Sequence, residues 1–200
     1  MSKRPICPDC ERPRKTCLCD ELVQLSCDFQ LIILQDPQEA KHALSSAPIL
    51  AKSIVGARLE VGETFDPLEL FGEDWKEQAL LIYPNNRSLN PQQVKQRRFK
   101  YLVLLDGTWR RVSRLLHLNT WLNEIACVSI GPSNTSEYKI RKSPRNDGLA
   151  TIEAATYILN ALHDSQNYEP ILSAFHKMIA LQIQSMGKDT FQKNYTDKES

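Results

Sequence analysis

Tyr101-Leu102-Val103-Leu104-Leu105-Asp106-Gly107-Thr108-Trp109 carries the change of pattern that sets the architecture of this chain. Five residues of continuous apolar or aromatic character, too short for a helix, read as a strand buried on both faces. Asp106-Gly107 ends it. The residues that follow switch period: Trp109, Val112, Leu115 and Leu116 recur at helical spacing, and Arg110, Arg111 and Arg114 fall on the other side. A helix from Thr108 to about His117 is therefore predicted, with Thr108 as its N-cap.

The same grammar repeats on either side. Phe29–Leu34 is a short apolar run ended by Asp36-Pro37, Ala79–Tyr83 is another ended by Pro84, and Ala126–Ile130 is a third ended by Gly131-Pro132. A shorter strand is expected at 57–61. Helices are predicted over Glu39–Ala47, from Pro48 through Ile54, from Leu149 to about His163, and from Pro170 to about Met186. Buried strands alternating with helices imply an α/β fold with a largely parallel sheet flanked by helices. Residues 27–188 are assigned to that domain. The polar residues 189–200 read as a tail.

Residues 1–26 form a different unit. Cys7, Cys10, Cys17 and Cys19 follow a C-x2-C-x6-C-x-C spacing within a polar, proline-rich stretch that has no core of its own. Four soft thiolates fill the closed tetrahedral shell of a structural zinc, and metal binding would supply most of the folding free energy of such a knuckle. A redox pair or unbound thiols are the alternatives. Arg12, Arg14 and Lys15 lie between the two cysteine pairs, where they can meet phosphate. Cys27 and Cys127 border apolar runs and read as buried thiols.

The 200 residues carry a net charge of only +1, but the charge is segregated. Seven acids and one lysine occupy 60–77, whereas eight bases and one acid occupy 87–114. Lys139, Arg141, Lys142 and Arg145 add a second basic stretch. A basic face suits a polyanion, although runs of this kind are as often plain solvated surface. No apolar run reaches the roughly 20 residues of a membrane span. The start of the chain lacks a signal-peptide pattern, so a cytoplasmic location without a membrane is expected. No obligate protein partner is evident.

In open α/β sheets, ligands sit beyond the carboxyl ends of the strands. Asp106 is thus expected at a cleft edge with a carboxylate open to accept a proton or a hydrogen bond, beside a Gly107 that permits close approach. An ordinary strand–helix corner is the plain alternative. Here a set of ordered blocks resembles the DTW-domain family. Asp106-Gly107-Thr108-Trp109 is similar to its D-x-T-W signature, the four-cysteine knuckle matches, and Leu81-Ile82-Tyr83-Pro84 resembles its central block. Tyr138-Lys139-Ile140-Arg141, Ser143-Pro144 and Leu149–Ala154 resemble the block that follows. One block departs: the bacterial branch has His-Pro-x-Glu after its first strand, and this chain has Asp36-Pro37-Gln38-Glu39, which excludes a histidine base there.

The resemblance implies a SPOUT-like, knotted α/β core. It implies transfer of the 3-amino-3-carboxypropyl group of S-adenosylmethionine to N3 of a tRNA uridine, releasing methylthioadenosine. Asp106, Thr108 and Trp109 are then the expected catalytic group, Asp106 either taking the N3 proton or orienting the uridine edge. Tyr83, Pro84, Asp106, Gly107, Ser143, Pro144, Thr151 and Glu153 are the expected donor-binding residues. Arg97, Arg98, Arg110, Arg111, Arg114, Lys139 and Arg141 are expected on the RNA, with Arg141 equally suited to the donor's carboxylate. A methyltransferase on the same scaffold, a zinc-knuckle RNA-binding protein without catalysis, and an rRNA substrate are the rival readings.

Overall fold

A computed structural model describes residues 5–129 and 149–187. Five strands, β1 (Gln30–Gln35), β2 (Arg58–Val61), β3 (Ala79–Ile82), β4 (Tyr101–Asp106) and β5 (Ala126–Val128), form one sheet in the order β2-β1-β4-β3-β5. Every pairing is parallel. The helices are α1 (Ala47–Ser53), α2 (Pro67–Phe71), α3 (Trp75–Gln78), α4 (Pro91–Lys95), α5 (Trp109–Leu118), α6 (Thr151–His163) and α7 (Ile171–Met186).

The strands are apolar throughout because both faces are covered. Leu31, Ile33, Leu80, Leu102 and Leu104 point to a layer made with α1, α4, α6 and α7, around the fully buried Phe175. Ile32, Leu34, Leu81, Tyr101 and Val103 point the other way, against Phe71, Trp75 and Trp121. Those aromatics pack edge to face at 5.0–5.8 Å between ring centroids, the geometry favoured by the ring quadrupole.

The predicted strands and the two long C-terminal helices are present. The helix expected over Glu39–Ala47 is not: residues 37–44 form turns, and α1 begins at Ala47. The cause is local competition. The Asp36 carboxylate accepts the N–H groups of Gln38 and Glu39, offering the backbone a turn in place of helical bonds. The short helices α2, α3 and α4 follow Asp66, Asp74 and Asn90, and the sequence reading missed them. The knuckle is docked on the domain: Leu18, between Cys17 and Cys19, is 1% exposed and belongs to the main core.

Among the described residues no helix is long and apolar enough to cross a membrane. The tail 189–200 and the expected strand end at Ile130 lie outside the described residues.

Candidate active site

β1 and β4 are neighbours, yet their chains leave in opposite directions. β1 leads outward to β2, and β4 leads to β5 beyond β3. The carboxyl ends of strands at such a switch point are where α/β sheets take ligands. Asp106 ends β4 there and is paired in register with Gln35, the last residue of β1.

The period-2 alternation of a strand decides where Asp106 points. It shares its face with Leu102 and Leu104, so its side chain turns inward toward α6 and the start of α1. Only 4% of it is accessible, which corrects the expectation of an open carboxylate at the cleft edge. Both oxygens are engaged. Oδ1 accepts the Thr151 hydroxyl at 2.5 Å, and Oδ2 accepts the Gln35 amide at 2.7 Å and the Ser45 hydroxyl at 3.4 Å. An acid held so firmly suits a fixed hydrogen-bond acceptor better than a swinging base.

Behind this lies a second cluster. Asp36 and Glu39 are 2% and 8% exposed, and both meet one guanidinium: Arg111 Nε lies 3.5 Å from Asp36 Oδ1, and Arg111 NH1 lies 2.8 Å from Glu39 Oε2. Buried carboxylates need such a partner, since taking a charge out of water costs several kcal/mol. Arg111, one of the residues expected on the RNA, is thus engaged in this ion cluster, with 34% of its side chain still exposed. Arg114 likewise pairs with Glu63 at 2.8 Å. The acidic segment folds back on the basic one, and part of the charge separation seen along the chain disappears in space. Arg97, Arg98 and Arg110 remain exposed.

Gly107 is needed for packing. A Cβ there would sit 3.0 Å from Arg111 Cβ and 3.6 Å from Asp36 Cβ, so any side chain would push against the ion cluster. Thr108 occupies the N-cap position of α5 but makes no side-chain capping bond. Trp109 is half-buried and not part of the core stripe, which runs through Val112 and Leu115. Its ring lies 6.4 Å from that of Tyr83, at the end of β3. Pro84, next along, is exposed.

Thr151 opens α6, and Glu153 is fully buried with its carboxylate accepting the Ala150 N–H at 2.7 Å. That bond caps the helix, as the position of Glu153 in the first turn suggests. Ser143, Pro144, Lys139 and Arg141 lie outside the described residues. Gln35 and Ser45 were not predicted. Only the placement of Gln35 at a strand end pointed to it.

Beside Tyr83 a cavity of about 880 Å³ runs along the β5 edge, with Arg87, Arg97, Phe99 and Leu116 in its walls. Its walls also carry Glu77 and Glu124, the latter paired with Lys76, so the lining is mixed in charge.

At the knuckle, the Sγ atoms of Cys7, Cys10, Cys17 and Cys19 all lie within 4.8 Å of one another, so the four thiols can hold a metal ion. Burial pushes the Cys10 thiol up, but the Leu18 and Arg12 backbone amides and the neighbouring thiols outweigh it and bring it to about 7. Cys19 moves the other way, pushed up to about 12 by hydrogen bonds to Cys17 and Cys7. The opposite shifts are what a crowded thiol set shows when it shares few protons. Cys27 and Cys127, in contrast, are pushed up chiefly by burial, to which the neighbouring Asp28 adds at Cys27; Cys127 is buried and Cys27 partly so. Arg12 is not free for phosphate: it donates to Ala43 O at 3.2 Å and to the Met178 sulfur at 3.5 Å, and so ties the knuckle to the turns at 37–44.

A parallel α/β domain with a polar network gathered at its switch point carries, clamped to one side, a four-cysteine knuckle that can hold a metal ion. The chain belongs to the DTW-domain family, whose domain matches residues 4–183. It is 30% identical over 195 residues to "tRNA-uridine aminocarboxypropyltransferase 2" of Macaca fascicularis, covering 91% of this chain and 65% of that protein. The protein of the same name from Mus musculus is 28% identical, over 96% of this chain and 68% of its own length. "tRNA-uridine aminocarboxypropyltransferase A" of Arabidopsis thaliana is 26% identical, over 90% and 81%. The chain thus spans about two thirds of the length of the animal relatives. No solved structure matches it.

Proposed function

We propose that this chain is a tRNA-uridine aminocarboxypropyltransferase that uses S-adenosylmethionine as co-substrate, in the cytoplasm. The observation that carries the reading is the family membership over nearly the whole chain, joined to a buttressed Asp106 at the switch point of the sheet. The SPOUT-like knot belongs to the same proposal.

The co-substrate supplies an electrophilic carbon next to a sulfonium. N3 of uridine forms the new N–C bond, the C–S bond breaks with its electron pair going to sulfur, methylthioadenosine departs as the neutral thioether, and the N3 proton passes to solvent. The sulfonium bears more than one transferable carbon, so selectivity rests on position. Tyr83, Pro84, Gly107 and Thr151 are the described residues assigned to hold the donor at the carboxyl edge, with Ser143 and Pro144. Glu153 keeps the start of α6 in place. Asp106 acts as a fixed acceptor that orients a donor hydrogen of the bound groups. Thr108 and Trp109 form the adjoining rim, and the half-buried Trp109 and Tyr83 rings provide faces on which a flipped base can stack.

Cys7, Cys10, Cys17 and Cys19 hold a structural zinc. Arg97, Arg98 and Arg110 contact the tRNA backbone, with Lys139 and Arg141; such contacts position the RNA and make affinity salt-dependent. The test is incubation of the protein with unmodified tRNA and donor labelled in its aminocarboxypropyl carbons. Label in the RNA at a uridine is expected. Transfer of a methyl group, or no transfer to any tRNA, refutes the reading.

A further inference from the structure

We infer that Gln35 is a positioning residue of this site: its side-chain amide fixes the orientation of the Asp106 carboxylate without neutralising it. The inference rests on the proposed role of Asp106 and extends it to a residue outside every block that resembles the family.

Gln35 is 1% exposed and spends its amide hydrogens within the protein, so it acts through Asp106. A polar side chain buried so completely must satisfy its donors. It does so in one direction. Its Nε2 donates to Asp106 Oδ2 at 2.7 Å and to Ser45 Oγ at 2.9 Å, using both amide hydrogens. The nitrogen must be the atom that faces Asp106, because an ionised carboxylate only accepts. Ser45 closes the triangle by donating to the same Oδ2. Strand register is what brings them together: Gln35 and Asp106 are partners across parallel strands and share a face.

The chemistry of the residue matters. A lysine or arginine in this place would offer donors too, but its charge would cancel that of the carboxylate. It would also repel a cationic sulfonium nearby. An amide orients Oδ2 and leaves the negative charge of Asp106 intact. Oδ1 is held from the other side by Thr151, so the plane of the carboxylate is set by donors from β1, α6 and the turn before α1. Gln35 at 2.7 Å lies closer to Oδ2 than Ser45 does at 3.4 Å.

Two variants test this in the full chain. Gln35→Met keeps the length and volume and removes the donor. Gln35→Glu keeps the shape and sets a second carboxylate against Asp106. For each, kcat and KM are measured with unmodified tRNA and donor, along with thermal stability. The Asp106 carboxyl signal is followed by carbon-13 NMR as pH is varied. Gln35→Met is expected to lower kcat about tenfold or more with a smaller change in KM for tRNA, and to move the Asp106 titration to higher pH by about one unit, since a donor to the charged form is lost.

Gln35→Glu is expected to gain a new limb in its pH–rate profile. Activity survives at low pH, where the two carboxyls share a proton, and falls as pH rises and they repel. The other charged groups close by, Asp36, Glu39 and Arg111 beside the 106–107 turn and Glu153 in α6, are unchanged in both variants. A folded Gln35→Met with wild-type kcat and an unmoved Asp106 signal overturns the inference, as does a Gln35→Glu profile identical to wild type. If the wild type transfers nothing to tRNA, the proposed function fails, and the NMR titration alone still decides whether Gln35 controls Asp106.

Discussion

Replacing Thr151 with valine isolates one bond in the network. The two side chains have nearly the same shape and similar helix propensity, so the perturbation is the loss of a single hydroxyl. That hydroxyl donates to Asp106 Oδ1 at 2.5 Å across 45 residues of sequence. A hydrogen bond to a charged group contributes about 1.5–3 kcal/mol net. In a domain of this size, 1 kcal/mol moves the melting temperature by about 2–4 °C, so Thr151→Val should melt roughly 3–12 °C below wild type. If the carboxylate must hold its orientation in the transition state, the same free energy corresponds to a fall in kcat of about 10- to 160-fold. Differential scanning calorimetry and initial rates of label transfer to tRNA read the two effects. Thr151→Ser, which restores the donor, should recover most of both. A valine variant that melts within a degree of wild type and keeps its kcat would show that the contact carries no weight, and the account of Asp106 as a held acceptor would fall with it.

Three further outcomes follow from the same geometry. Arg111→Met leaves Asp36 and Glu39 buried without their cation; because the guanidinium is 34% exposed, the loss should fall between that of a surface pair and that of a fully buried one, roughly 2 kcal/mol in urea unfolding. Unchanged stability with weakened tRNA binding would instead return Arg111 to the RNA surface. Charge reversal of Arg97, Arg98 and Arg110 to glutamate should weaken tRNA binding at low salt and flatten the dependence of affinity on salt concentration; a slope equal to wild type removes these residues from the interface. If the knuckle holds zinc as proposed, Cys7→Ser with Cys10→Ser should abolish bound zinc by elemental analysis and lower the melting temperature, since a metal in such a site supplies much of the folding free energy; retained stoichiometric zinc contradicts the ligand assignment.

The electrostatics of the chain show how much a linear reading leaves open. The acidic 60–77 segment and the basic 87–114 segment look like separate faces, yet Glu63 meets Arg114, and Arg111 is taken up by Asp36 and Glu39. What remains positive is a smaller set than the run suggests. The knuckle gives a similar lesson. Its polar composition reads as an independent module, but Leu18 is inserted into the main core and Arg12 reaches Ala43 O. Loss of metal should therefore disturb the turns that carry Glu39 and Ser45.

Strand and helix periods, the strand-ending Asp106-Gly107 pair and the cysteine spacing were all readable from the chain itself, because each depends on residues within a few positions of one another. The alternation along β4 even contained the inward direction of Asp106, although nothing local said which layer it would face. Tertiary structure alone chose its partners. Gln35, Ser45 and Thr151 come from 71, 61 and 45 residues away, and they converge because parallel register and two-sided packing leave those side chains one shared place to satisfy their buried donors.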